Sequence, residues 1–236
     1  MPYRRLPNTD TARLKALHTA LQKGEELSPV DLAYPQKHYY NIRSFIPSFE
    51  AALQEYAQKK DNLVRQSKQT HELFRKARLF LTHFIQVSFF AIQRGELPEN
   101  TLEYFGLDSS RTMPSLQSFE ELVTCGKKIL EGEKERIQQG KRPISNPTAA
   151  VVKVRYEVFL ESFHSYEVHK KTKTLAQEKV LSLRKEADRL IAGLWDHIED
   201  FFEDLPDNMK REKAAGYGVI YVYRKNELRH LESFPD

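Results

Sequence analysis

One cysteine, Cys125, in 236 residues leaves no partner for an internal disulfide and too few thiolates for a structural zinc site. The fold must then be held by packing, and a reducing, cytoplasmic compartment is the expectation. Glycine is scarce too, at 9 residues. Gly126, Gly132 and Gly140 follow no strand-like segment, so the phosphate-cradling loop of a nucleotide-dependent enzyme is missing. No serine stands in a nucleophile elbow, and no carboxylate is spaced to make a dyad with His71, His83, His164, His169 or His197.

Long apolar runs are absent as well. The most apolar window, Leu79 to Ile92, spans about fourteen residues and contains His83 and Gln86, whereas a bilayer span needs about twenty. No membrane partner is expected. The opening MPYRRLP passes into Asn8-Thr9-Asp10 without the apolar core of an export signal. Neither sign of charge dominates: 37 basic against 33 acidic residues leave +4, too little to point to nucleic acid. The basic faces around Lys59, Lys60, Arg65, Lys68, Arg75, Lys76 and Arg78, and around Lys170, Lys171 and Lys173, lack interleaved aromatic residues and read as solvated surface.

What the chain does have is helical periodicity. Apolar residues make up 40% and charged residues 30% of it, a balance that suits helices with one wet face. The spacing predicts an all-α fold: an elongated antiparallel multi-helix bundle, one domain over residues 1–236, with a small C-terminal β-hairpin. The first helix covers about 9–23, capped by Asn8-Thr9-Asp10, carrying Leu14, Leu17 and Leu21 on one face and stopped by Gly24. Pro35 and Pro47 divide the next segment into turns or short helices. From Leu53 a heptad register then runs through Tyr56, Lys60, Leu63, Ser67, Thr70, Phe74, Ala77, Leu81, Phe84, Ser88 and Ala91. That predicts one helix over 48–94, or two stacked end to end with a break near 67.

A helix over 115–139 follows, with Ser118 and Glu121 as a capping box and Gly140 as its stop. Asn146-Pro147 opens the last long segment, 147–205, whose stripe turns polar at Ser162, Ser165, His169 and Thr172, so a kink or break is expected near 172. Residues 217–231, rich in β-branched and aromatic side chains around Tyr217 to Tyr223, form the predicted hairpin.

Chemistry-bearing patterns are few. Glu161 and His164 have the Glu-x-x-His spacing of carboxylate-bridged di-iron bundles, but that site needs a second such pair and two more glutamates. Glu227 and His230 repeat the spacing only within the predicted β element. No metal and no cofactor is therefore expected.

Two charged segments stand out as interaction surfaces. Residues 190–209 contain no Lys or Arg but hold Asp196, Glu199, Asp200, Glu203, Asp204 and Asp207, crowding the helix end whose dipole disfavours anions. A compensating partner is expected: Lys210, Arg211 and Lys213, a basic helix, or a cation. The connector GEKERIQQGKRPISNP, 132–147, gathers Glu133, Arg136, Lys141, Arg142 and Asn146 where one helix ends and the next begins.

Two segments, YRRLPNTD at 3–10 and CGKKILEGEKERIQQGKRPISNP at 125–147, resemble a group of bacterial all-helical proteins without an assigned activity. The resemblance implies a bacterial helical protein and no residue roles. The expected function is a non-enzymatic structural or protein-interaction module, with a homodimer or another protein as partner. One rival is a ligand-binding or metal-dependent bundle enzyme using Glu161, His164, Tyr156 and Tyr166; another is weak nucleic-acid association through the basic faces.

Overall fold

A computed structural model describes residues 3–223. Among them the order is β1 (Tyr3–Arg4), α1 (Asp10–Glu26), α2 (Gln36–Gln93), α3 (Thr101–Tyr104), α4 (Phe119–Gln138), α5 (Ala149–Phe201), α6 (Asp207–Ala215) and β2 (Tyr221–Val222). The fold is all-α with a small β element. No helix among the described residues is long and apolar enough to cross a membrane.

The chain divides into two compact units. Unit 1 comprises the residues up to Ala57 and those from Thr174 onward, and unit 2 comprises Gln58–Lys173. Helices α2 and α5 contribute to both. The heptad register runs unbroken through the first boundary, after Ala57, whereas the second, after Lys173, falls where the stripe of α5 is polar.

In unit 1, α1 starts where expected, with the Thr9 hydroxyl accepting from the Ala12 N–H at 3.2 Å. It does not stop at Gly24 but continues to Glu26. Gly24 is there for closeness: a Cβ at this position would lie 2.5 Å from the Tyr39 ring and 2.8 Å from the Tyr34 hydroxyl. Pro47 does not break the chain either, and sits inside α2. Its missing N–H and its clash with the preceding turn are offset by Ile42, Phe45, Ile46 and Phe49, all buried in the core of this unit with Leu17, Leu194, Trp195 and Ile198.

The β element joins residues distant in sequence. β2 pairs antiparallel with β1, Tyr3 opposite Val222 and Arg4 opposite Tyr221. The return arm predicted around Leu228 and Leu231, and the Glu227–His230 pair, lie outside the described residues.

In unit 2, α2 and α5 run antiparallel, shown by Gln66 against Ser162, Phe74 against Phe159 and Arg155 over the Phe80 ring. The breaks considered near 67 and 172 are absent, since both helices are continuous there. Polar stripe positions on one helix meet a polar position on the other. The hydroxyls of Thr70 and Ser162 are 2.8 Å apart, and the Gln66 side-chain amide donates to the Ser162 hydroxyl and carbonyl, both at 3.1 Å. Below this layer the core is aromatic, with Phe119 edge-on to Phe74, Phe159 and Phe163. Helix α5 begins at Ala149, two residues after the predicted start, and the Thr148 carbonyl accepts from the Val152 N–H.

Candidate interaction surface

Helix α4 organises the site in unit 2. Its capping box forms as predicted, the Ser118 hydroxyl accepting from the Glu121 N–H and the Glu121 carboxylate from the Ser118 N–H. Its buried residues are Leu122, Gly126, Ile129, Gly132, Glu133 and Arg136. Apart from Gly132, these recur every three or four residues and form one stripe.

Glu133 and Arg136 are therefore not part of an outer surface, contrary to the sequence-based expectation. Their exposures are 0% and 1%. Arg136 Nε donates to Glu133 Oε2 at 2.8 Å, and the other carboxylate oxygen accepts from the Ile144 N–H at 2.8 Å. Arg136 Nη2 donates to the Arg142 carbonyl at 2.8 Å, and Nη1 reaches the Thr101 hydroxyl at 3.5 Å. The pair is a latch that ties the connector after α4, and the start of α3, to α4 itself. Burial is tolerable because both charges are matched and their remaining hydrogen-bonding capacity is used. Gly140, at φ 76°, closes α4 with the paired bonds Lys141 N–H to Arg136 carbonyl and Gly140 N–H to Ile137 carbonyl. Lys141, Arg142 and Asn146 are exposed, as expected of a surface.

Between α4 and the first turns of α5 lies an open groove of about 460 Å³. Leu130, Ile137, Ala149, Ala150 and Tyr156 supply its apolar lining, and Lys127, Lys134 and Lys153 stand at it with Glu131 and Glu157. Tyr156 fixes its depth. That ring packs where a Cβ on Gly126 would come within 2.6 Å, and its hydroxyl donates to the Val123 carbonyl at 2.9 Å. Lys153 is held by Glu157 at 3.6 Å. Among the described residues Lys127 and Lys134 are in no ion pair. Ile137 on α4, at the groove, is 43% exposed, and Val151, Val154 and Val158, outside the groove lining on α5, are each more than 40% exposed. Sequence reasoning places these valines on an inward stripe; the signal for another face is that Val152, Tyr156 and Phe159 form a larger, competing stripe one or two residues further along.

The rival enzyme pocket does not assemble. Glu161 and His164 are both exposed on α5, Tyr156 faces α4, and Tyr166 lies edge-on to Phe119. No cluster of three or more His, Cys, Asp or Glu suited to a metal occurs among the described residues. Cys125 is half-buried, and burial pushes its thiol up to about 11, far from the range of a reactive thiolate.

The acidic surface lies in unit 1 and is partly neutralised from an unexpected direction. Arg4 on β1 reaches Asp196 at 2.7 Å and Glu199 at 3.0 Å. The Tyr221 hydroxyl donates to Glu199 at 2.6 Å, and burial together with that carboxylate raises the phenol above its usual range. Arg211 is engaged locally, with Asp207 at 2.8 Å. Asp200 and Glu203 remain exposed, beside a Phe201 that is 53% exposed.

Unit 1 also holds a histidine pair, His38 and His197, with ring centroids 4.8 Å apart. The buried Nδ1 of His38 has no hydrogen-bond partner among the described residues, and burial, then His197 and Lys37, lowers the His38 pKa from 6.5. The native state thus disfavours the protonated ring. Its contribution to stability is complete above the unfolded value and is lost as pH falls through 6.5 toward the folded value. Urea midpoints should fall between neutral pH and pH ~5.5 more steeply for the parent than for His38→Gln; equal slopes would refute the assignment.

Comparison with protein-family profiles, with curated proteins and with solved structures finds no match for the chain.

Proposed function

We propose that this chain is a non-enzymatic protein-interaction module, and that the groove between α4 and α5 seats an amphipathic helix carrying carboxylates. The observation that supports the reading is the groove itself, an apolar trough lined by Leu130, Ile137, Ala149, Ala150 and Tyr156 and bordered by lysines. A helix presents anchors at three- and four-residue spacing, which suits a trough between two helices. Water-exposed apolar surface of this kind is a cost that binding removes. Charge sets the partner's character. With Lys153 held by Glu157, Lys127 and Lys134 face only Glu131 at the groove, so an acidic ligand helix is favoured over a basic one. The single cysteine supports a reducing, cytoplasmic setting for the module.

The test is photocrosslinking in cells. With benzoylphenylalanine in place of Ile137 or Ala150, both at the groove, the expected result is a discrete protein adduct of higher mass. The same substitution at Val64, exposed on α2, serves as the control and should give none. Equal labelling at all three positions, or none at any, contradicts the proposal.

A further inference from the structure

We infer that His38 and His197 form a proton-operated clasp in unit 1: in mild acid the two rings part, and the first turn of α2 lifts from the end of α5 while the rest of the unit stays folded. Both residues belong to unit 1, and the clasp stands independently of the groove of unit 2. The rings meet edge to face with centroids 4.8 Å apart. Gly193 admits the approach, since a Cβ there would lie 3.8 Å from His38 Cε1. Neutral imidazoles can share such a contact, whereas two imidazolium rings repel across it. His38 Nδ1 is buried with no hydrogen-bond partner among the described residues, so a charge on that ring is poorly answered.

The surrounding charges decide which way each ring goes. On its own helix His38 has Lys37 beside it and no acidic residue in the first turn, at the helix end whose dipole disfavours a cation. Asp31, in the turn before α2, accepts from the Ser28 hydroxyl at 2.7 Å. Helix α1 packs on this turn where Gly24 meets Tyr39; its Lys23 and Glu26 pair with each other, and Glu25 is exposed. His197 is placed oppositely. No basic residue stands in the last turn of α5, and Asp200, three residues on, is exposed and in no ion pair among the described residues. Asp196 is held by Arg4. A charged His197 thus has a carboxylate to turn toward, and a charged His38 has none.

Contacts of a different kind confine the opening. The Tyr34 hydroxyl donates to the Ala20 carbonyl, and Ile42, Phe45 and Ile46 are buried in the core one turn or more beyond His38, so the chain is pinned before and after the turn that moves. That turn has the least to lose, because the leading N–H groups of a helix lack intrahelical acceptors. An open hollow of about 440 Å³ bordered by Pro35, His197, Asp200 and Phe201 lies where the rings separate. Acid therefore widens an apolar hollow that neutral pH keeps narrow.

Amide hydrogen exchange of the full chain between about pH 7.5 and about pH 5, corrected for the intrinsic pH dependence of exchange, tests this. Relative to α4, residues 38–42 of the parent should lose protection about tenfold or more, the equivalent of one pKa unit. His38→Gln should keep its protection across the range. His197→Gln should lose less than the parent, because His38 is still buried but faces no second charge. His18→Gln, which removes a histidine paired with Glu50, should behave as the parent. Ring resonances give a second readout: His38 should titrate below 6.5 in the parent and at higher pH in His197→Gln. Protection at 38–42 that does not fall in the parent overturns the clasp, as does an equal fall in α4, which is general acid unfolding. An equal loss in His197→Gln and the parent also overturns it, leaving burial of one ring as the whole cause. Should His38→Gln fail to fold, the ring titrations decide: equal His38 midpoints in the parent and in His197→Gln overturn the clasp.

Discussion

Replacing Arg136 with alanine should lower the free energy of unfolding by about 3–5 kcal/mol, the scale at which a buried ion pair fails when one partner is removed. The measurement is urea denaturation followed by circular dichroism. The size follows from what is left behind: a Glu133 carboxylate with no exposure to water and no cation, an Arg142 carbonyl without its donor and a Thr101 hydroxyl without its contact. The Ile144 N–H would still have its carboxylate, so the change separates the charge from the backbone tether. Changing Glu133 to Leu and Arg136 to Met together removes the stranded charge and should recover part of the loss. Recovery should be incomplete because Ile144 N–H and the Arg142 carbonyl then both lack partners, at about 1–3 kcal/mol per unsatisfied group. A single variant within about 1 kcal/mol of the parent would mean that the pair is not buried as described.

The second large effect is expected at Gly132. A Cβ there would lie 2.0 Å from the Tyr104 carbonyl oxygen and 2.6 Å from its carbon, and backbone cannot rotate aside as a side chain can. Alanine in a helix interior normally gains about 1 kcal/mol over glycine. Here the sign should reverse, with Gly132→Ala destabilising by about 1–3 kcal/mol as α3 is pushed off α4. Gly140→Ala is the useful contrast. Nothing among the described residues lies within 4 Å of its added Cβ, so any loss there comes from the positive φ alone, about 1 kcal/mol. If the two substitutions melted alike, the close approach of α3 would be disproved.

The parts of the fold that were legible in the sequence are those fixed by neighbours in the chain. The Thr9 cap of α1 and the Ser118–Glu121 box of α4 are three-residue patterns, and both form. The parts that were not legible depend on residues far away. Pro47 reads as a breaker until Phe45, Ile46 and Phe49 are seen to be buried. Thr70 reads as a weak point until Ser162 appears opposite. Arg4 cannot be matched to Asp196 and Glu199 without knowing that β1 lies beside β2. The Glu133–Arg136 latch is an intermediate case. The stripe through Leu122, Gly126 and Ile129 leads directly to positions 133 and 136, so periodicity places them inside while their charge points to the surface, and the mutual pairing that reconciles the two is invisible in spacing alone.

The hydroxyl layer of Gln66, Thr70 and Ser162 has a further effect on how the helices of unit 2 find their places. Two long apolar stripes tolerate sliding, since one leucine or phenylalanine can stand in for another a heptad along. A hydrogen-bonding group admits no such substitution. Shifted by seven residues, Thr70 would meet the longer Arg155 or His169 in place of Ser162, and the 2.8 Å hydroxyl contact and the Gln66 bonds to Ser162 would be lost. The layer therefore acts as a detent, selecting a single stagger for α2 against α5 from several that hydrophobicity alone would accept.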